Sequence, residues 1–334
     1  MKRAAIALLC ITFAAILAPA VYSASGTITV GKEFALPSID GRPFRPRISG
    51  DWVVAVRNSE KRAEKVVLIN VPKAMVSTVF DIADGASTFP SVSGNMAVWT
   101  GKSDQIDSLR GTRGKRGQLP GSMILRDLTT GQYSAPDLST TSAAFCSIDG
   151  NYVAYELGSR IYLYDLSNQQ QKRISDDRAC HSSPSIAGDL VVWCAKAEGT
   201  GKRQVYAYRI PTGVQTSITN DTQMDYISPT TDGRYIVWWT KADVYVYDTS
   251  TERTSTIPNA YFPSVDAGIV VYMKTGSRVY GMDLATREEF AISSMKATVG
   301  PDIDGGRVIW CSGNTIYCAE LVHNKIQSAG GPTH

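Results

Sequence analysis

The residues that could carry chemistry are few, and most fall in two short acidic stretches. The chain has three histidines, His181, His323 and His334, and six cysteines. His181 closes the stretch Asp176-Asp177-Arg178-Ala179-Cys180-His181. A second stretch runs Asn220-Asp221-Thr222-Gln223-Met224-Asp225-Tyr226, and Asn259-Ala260-Tyr261-Phe262 follows it. Asp176, Asp177, Asp221 and Asp225 are the oxygen ligands that calcium favours, which makes calcium the one cofactor worth weighing. Their spacing matches no EF-hand loop, and otherwise no cofactor and no metal are expected. Elements of a G-x-S-x-G elbow, an HExxH helix or a paired His–Cys site are missing from the sequence. Two carboxylates converging in space would leave no local motif, so hydrolysis or elimination on a sugar polymer stays open. The residues assigned to ligand or partner contact on this face are Asp176, Asp177, His181, Asp221, Asp225, Tyr226 and Tyr261.

A third group is cationic. Between Gly101 and Gly121 lie Lys102, Arg110, Arg113, Lys115 and Arg116, against Asp104 and Asp107, with glycines at 111, 114 and 117. One reading is an arm for an acidic partner, contacted by Arg110, Arg113, Lys115 and Arg116. The other is a solvated insertion. Its glycine spacing fits no phosphate-binding loop.

These stretches hang on a repeat that fixes the architecture. A phrase of the form Pro-small-apolar-x-Gly followed by an apolar run and an aromatic begins at Pro46, Pro90, Cys146, Pro184, Pro229, Pro263 and Pro301. The turn marks are Gly50, Gly94, Gly150, Gly188, Gly233, Ala267 and Gly305. Five residues on stand Ala55, Trp99, Tyr155, Trp193, Trp238, Tyr272 and Trp310. Apolar runs such as Leu190-Val191-Val192, bounded by turn signals, read as strands buried on both faces. Each unit therefore opens with a strand entered at Pro, a tight turn, and a second strand ending on the aromatic.

A third strand follows, as in Ile161-Tyr-Leu-Tyr-Asp-Leu166 and Val244-Tyr-Val-Tyr-Asp-Thr249, then a fourth, as in Gln215 to Thr219. Four antiparallel strands repeated at about 40 residues predict an all-β, seven-bladed propeller, with six or eight blades as the alternative. Aspartates recur in the third strand at Asp127, Asp165, Asp248 and Asp283. Each precedes a turn, where a carboxylate caps free backbone groups, so they read as architecture. The aromatics read as packing between blades. Small residues after each Pro (Ser91, Ser147, Ser185, Thr230, Ser264) suit a crowded axis, or else line a polar channel.

The segment Glu33-Phe34-Ala35-Leu36-Pro37-Ser38 resembles the fourth strand Glu289-Phe290-Ala291-Ile292-Ser293-Ser294 of blade six. It has no blade of its own before it, so it is expected to complete the last blade and close the ring. Residues 325–330 are the competing strand.

Strand direction alternates within a blade. The loops before each first strand and those between second and third strands therefore share one face, here called the loop face. All three stretches described above lie there, where rigid propellers carry function.

Met-Lys-Arg, an apolar run from Ala4 to Leu17 and small residues thereafter describe a secretory signal over 1–23. The domain reading continues with one propeller over 24–328 and a tail over 329–334. Removing Lys2 and Arg3 takes 34 basic residues to 32, against 31 acidic, so the charge is not that of a nucleic-acid binder. Five cysteines remain after export. Cys180 precedes the first strand of blade four and Cys194 ends its second, so a disulfide between them is expected. Asn220-Asp221-Thr222 matches a glycosylation acceptor.

The repeats SPSIAGDLVVW…VYAYRIPTG, SPTTDGRYIVWW…VYVYDTST and FPSVSGNMAVW…ILRDLTTG resemble those of TolB-like, PD40-type (WD40-like) propellers across roughly 32–328. The resemblance implies an extracytoplasmic binding platform. Seven copies exceed the six blades of TolB, and its extra α/β domain has no counterpart here. Oligogalacturonate lyases resemble the same architecture but use a histidine-rich metal site, which three scattered histidines do not supply.

The expectation is a secreted, periplasmic or cell-surface binding or scaffold module. It is expected to be monomeric, without a membrane span after signal removal, and to recognise an envelope or extracellular protein or polysaccharide on the loop face. The alternative is a polysaccharide lyase or glycosidase with its site on that face or in the channel.

Overall fold

The computed structural model describes residues 27–58, 64–81, 89–101, 122–136, 143–177, 180–196, 199–221 and 223–323. Among these residues all regular structure is β-strand, arranged as seven antiparallel sheets. The protein is a seven-bladed β-propeller. Blade four is representative, with strands His181–Ala187, Leu190–Lys196, Arg203–Arg209 and Val214–Ser217 pairing in chain order.

The seventh blade is composite. Its strands Val299–Asp304, Arg307–Ser312 and Thr315–His323 are completed by Ile28–Val30 and Phe34–Ala35, both antiparallel to the last. The N-terminal segment therefore supplies the outer strand, as the sequence predicts. It does so in two pieces, and the earlier one, Ile28–Val30, carries no copy of the repeat. Leu36 and Ile39 follow it into a core cluster with Ile48, Val53 and Ile309. Closure thus rests on buried apolar side chains as well as ladder bonds.

The repeat aromatics fill the space between blades. Trp99, Tyr155, Trp193, Trp238, Tyr272 and Trp310 are each 0–1% exposed. Each faces a third-strand residue in register, and four of these pairs stack: Trp193 on Tyr206, Trp238 on Tyr245, Trp310 on Tyr317, and Tyr155 on Tyr162. Offset rings at centroid separations of 5.8–6.2 Å add to the burial of area. The third-strand aspartates cap turns: Asp127, Asp165, Asp248 and Asp283 accept from the amides of Thr129, Ser167, Ser250 and Ala285.

The inner strands correct one expectation. The strand does not begin at Pro. In blades one and three to seven it begins earlier, and the ladder slips one register around the residue that precedes Pro46, Cys146, Pro184, Pro229, Pro263 or Pro301. Proline has no N–H to give a ladder, so it is tolerated at a bulge. At that bulge Arg45, Phe145, Ser183, Ser228 and Phe262 all hold φ between +44° and +57°. Glycine occupies the position in blade seven. A Cβ on Gly300 would lie 2.6 Å from the Cβ of Phe262.

Several of the small polar residues after Pro stitch blade to blade, while the buried Thr230 hydroxyl on the channel wall has no hydrogen-bond partner. Ser91 accepts from the amide of Ile148, Ser147 from that of Ile186, and Asp302 from that of Ile48. A second rung lies two residues further on. Ser49, Ser93, Asp149, Asp232, Asp266 and Asp304 accept from Gly94, Gly150, Gly188, Gly268, Gly305 and Gly50 of the next blade. These bonds satisfy turn amides that would otherwise be left over where the blades converge.

Candidate functional site: an aromatic collar on the axial channel

The loop-face carboxylates are committed to structure. Asp225 forms a two-pronged pair with Arg203, at 2.7 and 2.9 Å, and also accepts from its amide. The guanidinium holds its carboxyl down at about 2. Asp177 is held by Arg173 at 2.6 Å and by Arg160 at 3.4 Å. Asp221 caps the amide of Gln223, and its own carbonyl accepts from Gln204. Among the described residues no group of three or more His, Cys, Asp and Glu is placed to hold a metal ion.

His181 is structural. It is 1% exposed, and its Nδ1 accepts from the indole Nε1–H of Trp193 at 2.9 Å. The ring proton therefore sits on Nε2, which donates to Asp176 at 3.2 Å. Burial lowers its pKa, the nearby Asp176 opposing, so the ring is neutral at physiological pH. Both nitrogens are in use, which leaves none for a metal or a substrate proton.

Tyr226 is buried edge-on against Trp238 and Tyr245, and Tyr261 donates to the carbonyl of Lys274. The expected disulfide is not formed. Cys180 and Cys194 are both free, the first exposed and the second buried. The ladder sets Cys194 opposite Ser182, while the Cys180 carbonyl accepts from Lys196, so the two are out of register. Burial pushes the Cys194 thiol up to about 12, and it donates to the carbonyl of Tyr226. Arg110, Arg113, Lys115 and Arg116 lie outside the described residues.

What the fold does assemble is a channel on the axis. Its cavity measures about 630 Å³ and is lined by the inner strands of all seven blades. Its loop-face mouth is aromatic, because the bulge turns the residue before Pro into a lining position. On one arc the Arg45 guanidinium lies 3.4 Å from the ring centroid of Phe89 and 4.4 Å from that of Phe44, and Phe89 meets Phe145 at 3.8 Å. On the other, Phe262 meets Trp239 at 4.5 Å and Tyr261 at 5.5 Å. Phe44 and Phe262 are 41% and 45% exposed, unusual for phenylalanine in a packed β-fold. Arg45, Phe145 and Phe262 reach these positions through the same left-handed bulge that Ser183 and Ser228 adopt in their blades.

The other end is anionic. Asp149, Asp232, Asp266 and Asp304 occupy the same position of four blades, one residue before the turn mark, and all line the channel. Burial, with the charges of Asp304, Asp232 and Asp302, raises the Asp266 carboxyl to about 6. Asp304 is raised for the same reasons, by burial and by Asp302 and Asp149. Midway, Asp302 is paired with Arg47 at 3.0 Å and accepts a hydrogen bond from the hydroxyl of Ser264.

The sequence reading missed this collar. A signal was present, since the residue before the repeat Pro or Cys is phenylalanine in three of seven units: Phe89, Phe145 and Phe262.

No family model matches the chain, and no curated protein matches it. Solved structures do. The β-propeller domain of the Trilobed protease from Pyrococcus furiosus superposes with TM-score 0.59 at 12% identity, covering 89% of this chain and 99% of that one. Acylaminoacyl peptidase from Pyrococcus horikoshii gives 0.58 at 13%, over 86% of this chain and 52% of that one. An oligogalacturonate lyase from Vibrio parahaemolyticus gives 0.57 at 11%, over 89% and 98%. At these identities the likeness is one of fold.

Proposed function

We propose that this protein is a non-enzymatic binding module of the TolB-like kind, exported by its N-terminal signal. Its ligand sits over the loop-face mouth of the channel. The observation that carries this reading is the collar: exposed Phe44 and Phe262, with Arg45, Phe89, Phe145 and Trp239, around a cavity of about 630 Å³. Concave, aromatic-lined sites with a few fixed polar groups are what ligands occupy. Against catalysis on this face stand the ion pairs of Asp177 and Asp225 and the fully used ring of His181. Between the two ligand classes expected from the sequence, the channel charge favours protein. Five carboxylates line it against two guanidinium groups, which repels acidic polysaccharides.

The test is a screen of the mature protein, with and without divalent metals, against glycans and an extract of envelope proteins. It is repeated with Phe44→Ala and Phe262→Ala. A ligand that loses at least tenfold in affinity in both variants, with unchanged melting, supports the reading. Binding indifferent to the collar, or release of reducing sugar from a polysaccharide, would overturn it.

A further inference from the structure

The two aromatic arcs are built alike, with one difference. In the first, Arg45 at the bulge of blade one lays its guanidinium over Phe89, the residue before the repeat Pro of blade two, 3.4 Å from the ring centroid. Phe44 flanks the same guanidinium at 4.4 Å. In the second arc, Phe262 holds the position of Phe89, directly before the repeat Pro of blade six. The bulge of the blade before it carries Ser228 where blade one carries Arg45. A serine side chain is too short to cover the neighbouring ring, and Phe262 stays 45% exposed. Among the described residues no Lys or Arg lies over Phe262, Trp239 or Tyr261.

The second arc has the chemistry to hold a cation supplied from outside. The face of an aromatic ring is electronegative and attracts a guanidinium or ammonium, the more so where water is partly excluded. Trp239 flanks Phe262 at 4.5 Å and 57° and lines the channel, while its indole Nε1 is buried. It therefore shows the channel ring carbon, and not the N–H that would repel a positive charge. At Gly300 of blade seven the missing side chain lets the base of Phe262 pack close, which holds the ring in place. The rest of the lining matches in sign, since its carboxylates outnumber Arg45 and Arg47, and hydrogen bonds to turn amides leave that excess charge in place. Between the two common cations, the planar and weakly hydrated guanidinium stacks on rings better than an ammonium does.

We propose that the second arc, Trp239 and Phe262 beside Ser228, receives the guanidinium of an arginine side chain presented by the partner protein, in the pose that Arg45 holds over Phe89. This rests on the reading that the collar is where the partner binds. One arc of the collar is thus filled from within the chain and the other is filled on binding.

The test is a titration of the full chain, labelled with nitrogen-15 at tryptophan, with the blocked tripeptide acetyl-Gly-Arg-Gly-amide and with its citrulline counterpart, which has the same shape and no charge. The Trp239 indole signal is assigned by its loss in Trp239→Phe. The arginine peptide should shift that signal saturably, with an affinity about fivefold or more above that of the citrulline peptide. Phe262→Leu keeps apolar bulk but removes the ring face. It should weaken the arginine peptide about threefold or more and close the gap between the two peptides. Phe262→Trp, a better ring for a cation, should keep or raise the affinity. No saturable shift, equal affinity for the two peptides, or a leucine variant that binds like the parent would overturn the proposal. Were the leucine variant not to fold, the comparison of arginine with citrulline on the parent chain still decides. A screened ligand lost in Phe262→Ala yet kept in Phe262→Leu would sink the cation and leave the binding-module reading standing.

Discussion

At the scale of single residues, bond inventories separate architecture from site. Trp193 and His181 form one buried unit in which each side chain satisfies the other. His181→Ala should destabilise the protein by about 2–4 kcal/mol, combining a cavity with an orphaned indole N–H. Chemical denaturation would measure this, and ligand binding at the collar should be unchanged. Glu156 is a different case. It pairs in the ladder with Ala144 and Ile161, one Oε finds no partner, and burial raises its carboxyl to about 7. The folded state then holds more protons than the unfolded state between about pH 4.5 and 7. Stability therefore falls as pH rises through that window and is flat above it. Glu156→Gln should flatten the fall and stabilise the protein by roughly 1–2 kcal/mol at pH 8, a gain that pH-dependent thermal melts would detect. At Gly300 the constraint is steric. Alanine there would collide with Phe262. Gly300→Ala should displace that ring, costing about 1–3 kcal/mol of stability and severalfold in ligand affinity at the collar.

At the scale of elements, the N-terminal strands are the weakest-looking and among the most consequential. Ile28–Val30 and Phe34–Ala35 are short, yet with their continuation they bury Ile28, Leu36 and Ile39 to 4–6% exposure. Three such side chains amount to about 5–9 kcal/mol of apolar burial, comparable to the whole stability of a domain. Deleting residues 24–40 should lower the melting temperature by more than 10 °C, or abolish folding, and expose the edge of Thr315–His323 to aggregation. An unchanged melting curve would refute the closure argument. The bulges act at the same scale. By spending one residue per inner strand, they turn Arg45, Phe145 and Phe262 into the mouth of the channel.

At the scale of the whole molecule, the ring of blades concentrates charge that no single blade holds. Asp266 is raised to about 6 because burial acts on it together with carboxylates of neighbouring blades. Its sign matches that of Glu156: stability falls as pH rises from about 4 to about 6. Asp266→Asn should remove that part of the fall, leaving the variant more stable than the parent at neutral pH while still capping Gly305.

The strand order and the interblade aromatics were legible along the chain, and so were seven blades and an N-terminal closing strand as the leading readings, with six or eight blades and a strand at 325–330 as the alternatives. These follow from local pattern: apolar runs, turn glycines and the spacing of Pro and Trp are written within each unit of about 40 residues. Only the tertiary structure decided where a site lies. The acidic stretches at 176–181 and 220–226 look functional when read along the chain. Their partners Arg160, Arg173, Trp193 and Arg203 come from other strands and absorb them into the fold. The collar and the carboxylate ring show the opposite case. Arg45, Phe89, Phe145 and Phe262 are dozens of residues apart, as are Asp149, Asp232, Asp266 and Asp304. They meet only because closing seven copies around an axis brings equivalent positions to one radius. A period fixes equivalence, but only closure turns equivalence into proximity.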